Sequence, residues 1–138
     1  MHITGNCFCE LIEYEAELDE SAVGICHCRD CQIFSGSAFR TSGIVSQQNF
    51  RFTKGKPKYF DKVADSGAMR RMAFCGECGT HLCSLPSEDG GFVSVRVASC
   101  REFDQLKPAA EIYCSSRVSW LSSLEGAVEF EKMFSRGD

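Results

Sequence analysis

No apolar run in this chain approaches the roughly 18 residues that a membrane-spanning helix needs. The N-terminus, Met1-His2-Ile3-Thr4-Gly5, lacks the basic stretch and apolar block of a secretory signal. A cytoplasmic location is therefore expected. A basic surplus is also missing: 15 Lys and Arg stand against 19 Asp and Glu, a net charge of −4. Electrostatics thus give no reason to expect nucleic acid or an anionic membrane as partner. There is no linker, low-complexity tract or long internal repeat, and the 138 residues are expected to form one domain, 1–138. With 43% hydrophobic and 11% aromatic residues, disorder is excluded as a description of the chain.

Against these absences stand ten cysteines. In a reducing compartment such a count points to metal binding or thiol chemistry, where a secreted chain would suggest disulfides. Spacing supports the first reading. Cys7 and Cys9 are separated by one residue, as are Cys26 and Cys28. Pairs this close are awkward to join by a relaxed disulfide but suit two ligands of one ion.

Local patterning is mostly of period two, as in half-buried strands. Leu11–Leu18, Phe39–Val45, Phe50–Phe52, Tyr59-Phe60, Ala68–Phe74 and Phe92–Val97 read as strands. In the last, Val93, Val95 and Val97 share one face. Gly-rich punctuation separates these runs. Helix is sparse: a turn or two over 29–35, and short helices near the C-terminus at Ser119–Leu124 and Val128–Phe134. The expected fold is mainly β.

Three clusters carry the chemistry. Phe74-Cys75-Gly76-Glu77-Cys78-Gly79 has the form of a zinc knuckle, in which glycine lets the chain turn so that both sulfurs face one ion. A knuckle supplies two of the four ligands a structural zinc takes, and Cys7 and Cys9 are the natural other half. The plain alternative is that Cys7 and Cys9 are buried apolar thiols. Cys26-His27-Cys28-Arg29-Asp30-Cys31 instead offers three thiolates close together, and three protein ligands with a fourth position open is the arrangement of a catalytic zinc. A fourth protein ligand from Cys83, Cys100, Cys114 or His81 would close that site, and weak metal binding would leave it empty. His27, between two ligands, is expected to point away from them. His81 is expected on a strand beside the knuckle. Cys83, Cys100 and Cys114 read as buried small residues and Trp120 as core. Lys54, Lys56 and Lys58, and the Arg70-Arg71 pair, read as solvated charge.

Gly5-x-Cys7-x-Cys9-x4-Tyr14, Cys26-His27-Cys28-x2-Cys31 followed by Ser35-Gly36, Phe74-Cys75-x2-Cys78-Gly79 and Trp120-Leu121 together resemble the glutathione-dependent formaldehyde-activating enzyme (GFA) family. The resemblance runs from about residue 2 to 121. It implies a Mss4-like fold of antiparallel sheets stapled by zinc. It also implies a structural zinc at Cys7, Cys9, Cys75 and Cys78 and a catalytic zinc at Cys26, Cys28 and Cys31. The implied activity is carbon–sulfur lyase chemistry, joining glutathione and formaldehyde to S-hydroxymethylglutathione and reversing it. Glutathione is then the cosubstrate, and a small thiol or thiol–aldehyde adduct the partner. Ser35-Gly36, Arg29 and Arg40 are candidates for holding the substrate or its developing oxyanion. The chain departs from the family pattern at Glu10, where Gly is usual, at Glu111, commonly His, and at Ser119, often Pro. Two other readings compete: a non-catalytic zinc-stapled β scaffold for macromolecular interaction, and a thiol-based redox or metal sensor.

Overall fold

A computed structural model describes residues 1–133. Among the described residues, eleven strands form two sheets. The chain opens with β1 (His2–Asn6) and β2 (Glu13–Glu17), then β3 (Val23–Cys26), helix α1 (Arg29–Ser35), β4 (Arg40–Ser46) and β5 (Phe50–Lys54). There follow β6 (Lys58–Val63), β7 (Met69–Phe74), β8 (His81–Pro86), β9 (Phe92–Val95), β10 (Ala110–Ile112) and β11 (Val128–Glu129). The small sheet has the order β1-β2-β5. The large one runs β11-β10-β3-β4-β9-β8-β7-β6. Pairing is antiparallel throughout except at β10, which lies parallel to both β3 and β11.

The two sheets bury their apolar faces against each other, as period-two strands must. Ile3, Tyr14, Ala16 and Leu18 come from the first hairpin; Val23, Val45, Val93, Val95, Leu82 and Ala73 come from the large sheet. Outward on β2, Glu15 pairs with Arg51 at 2.6 Å and Glu17 with His2 at 2.6 Å. Gly5 and Tyr14 are cross-strand partners, and a Cβ on Gly5 would lie 2.3 Å from the Tyr14 ring. Only glycine leaves room for that tyrosine, whose hydroxyl meets Ser99 Oγ at 2.7 Å.

The expected strands are present, as is the helix over 29–35. Four short strands, β1, β3, β10 and β11, were not marked by the pattern, while His81 opens β8, on a strand beside the knuckle as expected. The C-terminal third differs most from expectation. Residues 119–124 form no helix, and Leu124 N–H instead donates to Glu111 Oε2 at 3.0 Å. Val128–Glu129 is a strand, because the open edge of β10 offers backbone partners to it. Phe134 lies outside the described residues. Short 3-10 turns occur at Val97–Ser99, Phe103–Gln105 and Cys114–Ser116. Trp120 is not core: it is 75% exposed, since the space between the sheets is filled by smaller branched residues. Arg70 is not simply solvated either. It is half-buried, donates to Ser84 Oγ at 3.0 Å and stacks 4.1 Å over the Phe92 ring. Arg71 and the three lysines are exposed.

Candidate functional site

Two cysteine clusters emerge from this topology. The turn between β1 and β2 carries Cys7 and Cys9, and the turn between β7 and β8 carries Cys75 and Cys78; their four sulfurs lie within 4.8 Å of one another. Cys7 and Cys9 Sγ are 3.6 Å apart, and Cys9 and Cys75 Sγ 3.7 Å. A tetrahedron with Zn–S bonds of about 2.3 Å has sulfur–sulfur edges of about 3.8 Å, whereas a disulfide brings its sulfurs to about 2.05 Å. The donor set and its spacing therefore fit a metal ion, and the buried-apolar reading of Cys7 and Cys9 does not explain the convergence.

The turn chemistry prepares these sulfurs. Gly79 adopts φ +79°, and its N–H returns to Cys75 O at 2.9 Å. The amides of Glu77 and Cys78 point at Cys75 Sγ at 3.4 and 3.5 Å, and that of Ile12 points at Cys7 Sγ at 3.3 Å. Thr80 joins the two halves: its hydroxyl accepts from Phe8 N–H at 3.0 Å and lies 3.2 Å from Cys78 Sγ. The Thr80 hydroxyl, with its own amide, pushes the Cys78 thiol down to about 5. Glu10 sits in the left-handed region, φ +66°. A glycine is at home there, which explains why this position departs at a cost from the usual residue.

The second cluster holds Cys26 at the end of β3, Cys28 at the N-cap of α1 and buried Cys31 in its first turn. All three sulfurs lie within 4.8 Å of one another, and among the described residues no fourth His, Cys, Asp or Glu donor joins them. Cys83 and Cys100 are buried elsewhere, and His81 lies on β8 between the rings of Phe34 and Phe74. Cys114 is half-buried beside Arg117. Cys28 Sγ accepts Cys31 N–H at 3.3 Å, capping the helix. Three thiols this close cannot all ionise without a cation. Hydrogen bonds from Cys26 and Cys31 hold the Cys28 thiol down to about 2, and the same contacts push Cys26 up. A bound cation would relieve that repulsion.

Residues 2–116 match the family model described as glutathione-dependent formaldehyde-activating enzyme. The chain belongs to that family. It is 32% identical over 78 residues to a protein named as an uncharacterised lyase from Schizosaccharomyces pombe. That alignment covers 56% of this chain and 53% of the relative, so the chain spans about half the length of the curated relative it matches. The crystal structure of a Rhodobacter sphaeroides protein superposes with a TM-score of 0.56, covering 92% of this chain and 98% of that one at 16% identity. That likeness speaks for the fold.

The surroundings of the second cluster in this GFA-family chain were only partly foreseeable. Arg40 stands directly across from Cys26 in the β3–β4 register and is half-buried. Arg29 is exposed and reaches Gln32 Oε1 at 3.5 Å. Gly36 ends α1 at φ +63°, and Ser35 Oγ donates to Phe39 O at 3.2 Å, so both residues shape the turn out of the helix. Two polar bridges, not anticipated, tie the β6–β7 hairpin over the cluster: Lys62 Nζ to Asp30 Oδ2 at 2.8 Å, and Tyr113 Oη to Asp65 Oδ2 at 2.7 Å. Tyr113 holds φ +54°, a costly backbone state for a tyrosine, immediately after the residue that pairs with Cys26.

His27 does turn away from the sulfurs, but to a fully buried place: its Nε2 meets Glu111 Oε1 at 2.8 Å. Glu111 is 1% exposed and also accepts from Arg117 at 3.2 Å, while Arg117 reaches on to Glu129. Glu111 thus anchors the ligand loop to the C-terminal segment. Among the described residues no helix is long and apolar enough to cross a membrane.

Proposed function

We propose that this protein is a zinc-dependent carbon–sulfur lyase-type enzyme acting on an adduct of a small thiol and an aldehyde, with glutathione and formaldehyde as the pair the family name indicates. The observation that carries the reading is the contrast between the clusters: four sulfurs converge in one, three in the other. A closed four-thiolate set suits a structural staple, and a three-thiolate set leaves one position for a substrate. A zinc ion there would favour the thiolate form of an incoming thiol.

In the forward direction sulfur bonds to the carbonyl carbon, the C=O π pair moves to oxygen, and the thiol proton ends on that oxygen. Cleavage reverses each step. The protein's own part is to place the sulfur, exclude water and stabilise the oxygen as charge develops. Cys26, Cys28 and Cys31 fix the first position. Arg40, beside Cys26, supplies positive charge close to it. The two polar bridges hold the β6–β7 hairpin against α1 and the segment after β10, next to the cluster.

The test is turnover of S-hydroxymethylglutathione by zinc-loaded protein, against a Cys28→Ser variant. Loss of turnover with retained folding is expected; a folded variant with wild-type turnover would end the reading. A non-catalytic scaffold draws on a different observation, the exposed Tyr59, Phe60 and Val63 along edge strand β6. That alternative predicts no response of the protein to thiol or aldehyde.

A further inference from the structure

The core-facing side of the large sheet is apolar, but its opposite side carries a row of arginines and serines that begins at the three-cysteine cluster. Cys26 pairs with Arg40. Two residues on, Ser42 accepts from Arg96 Nη1 at 3.2 Å, and the same nitrogen donates to Ser94 Oγ at 2.8 Å. Ser94 pairs with Ser84 on β8, and Ser84 Oγ accepts from Arg70 Nη2 at 3.0 Å. Three guanidinium groups therefore follow one another from β4, through the residue after β9, to β7. Among the described residues none of the three makes an ion pair with a carboxylate.

Such an arrangement is unfavourable on its own. Arg96 is 6% exposed, and burial first, then the Arg40 charge, weakens its hold on its proton. Arg40 Nε and Nη1 and Arg96 Nε are buried without a protein acceptor. Buried donors in native structures are nearly always satisfied, and those that are not call for an explanation. Clustered cations are ordinarily matched by anions. An anionic ligand satisfies both requirements.

We propose that Arg40 and Arg96, with Arg70 behind them, form an anion subsite that receives a carboxylate of the thiol substrate while its sulfur lies at Cys26, Cys28 and Cys31. This rests on the reading that a small thiol occupies the three-cysteine cluster. The subsite selects carboxylate-bearing thiols over neutral ones, and Ser42 and Ser94 hold the guanidinium of Arg96 in place as Ser84 holds that of Arg70. Arginine suits the task because its planar fork matches a carboxylate with two parallel hydrogen bonds.

The experiment separates binding from chemistry. Zinc-loaded full-length protein is titrated calorimetrically, with no aldehyde present, with glutathione and with glutathione diethyl ester, both of which keep a free thiol. The acid is expected to bind at least about tenfold more tightly than the ester, with affinity falling as salt rises. Arg40→Met, checked for unchanged zinc content and circular dichroism, is expected to weaken the acid by about tenfold or more and to leave the ester unaffected. With glutathione as substrate, the same variant raises KM. Should Arg96→Met fail to fold, Arg40→Met, at a side chain with no protein hydrogen bond, still decides the matter. Equal binding of acid and ester, absence of binding by either, or an Arg40→Met variant with wild-type affinity for the acid would overturn the proposal. Arginine-dependent binding without lyase turnover would sink the lyase reading and leave the subsite standing. Turnover that is indifferent to esterification would do the reverse.

Discussion

Replacing Cys75 by serine and, separately, Cys28 by serine should have very unequal effects on stability, although each removes one sulfur from a cluster. Cys9 and Cys75 are 66 residues apart, and an ion gripping both closes that length of chain into a loop. By loop-closure entropy alone, such a cross-link is worth about 4 kcal/mol. Loss of the ion itself adds to this, since structural zinc contributes apparent energies on the order of 10 kcal/mol in small peptides. A domain's whole stability is about 5–15 kcal/mol. At this chain length a change of 1 kcal/mol moves Tm by about 3–5 °C, so Cys75→Ser should lower Tm by at least about 12 °C or abolish folding. Cys28 is different. Its segment is held without the metal: β3 lies between β4 and β10, and Cys28 Sγ caps α1 through Cys31 N–H at 3.3 Å. A serine hydroxyl makes the same cap, so Cys28→Ser loses a ligand and little else. The assay pairs metal analysis after dialysis with thermal melting by circular dichroism. Wild type should carry two zinc ions per chain and Cys28→Ser one, with Tm changed by less than about 5 °C. Equal losses of Tm in both variants, or a Cys75→Ser protein that keeps both ions and its stability, would refute the division into a staple and a working site.

Two further outcomes follow from the backbone and from buried charge. Glu10 holds φ +66° and is bonded through its carbonyl, which accepts from Lys54 Nζ at 3.1 Å, so Glu10→Gly keeps that contact and relieves the strain. Denaturant titration should show a gain of about 0.5–1 kcal/mol, the left-handed penalty less the added freedom of the unfolded chain; a loss of stability would contradict the argument. Burial works to raise the Glu111 pKa, but the bonds from His27 and the Leu124 amide, together with Arg117, outweigh it and hold the carboxyl below its usual value. Its contribution is therefore present above the unfolded pKa of about 4.3 and is lost as pH falls through the lower folded value. Glu111→Gln should cost about 3 kcal/mol at neutral pH and show a shallower loss of stability below about pH 4 than wild type; parallel acid limbs would count against the network.

The convergence of four cysteines was legible because metal chemistry would fix ligand spacing locally, in Cys7-Phe8-Cys9 and Cys75-Gly76-Glu77-Cys78, whatever the fold between them. Its partner halves could be matched by counting to four. Longer strands such as β9 were legible from alternation. Val23-Gly24-Ile25-Cys26 was not, since four residues with a glycine carry too little periodicity. Nothing local reports that β10 pairs parallel to it from more than eighty residues away. Trp120 misled for a related reason: size and apolarity say what could be buried, and topology decides what is.

The same alternation carried a signal that points beyond the fold. In Phe92-Val93-Ser94-Val95, continued by Arg96, alternation puts the valines on one face and Ser94 and Arg96 on the other. Ser94 and Arg96 face across the sheet toward Arg40 and the second cysteine cluster. A strand that is apolar on one side and serine-arginine on the other, with that arginine 6% exposed, is not the usual half-solvated pattern. Arginine is rarely buried unless paired. The chain therefore bears a cost at Arg96 that packing does not explain, on the side of the sheet where three thiols await a fourth ligand. The coincidence is best understood if both deficits are met by one molecule, sulfur at one end and carboxylate at the other.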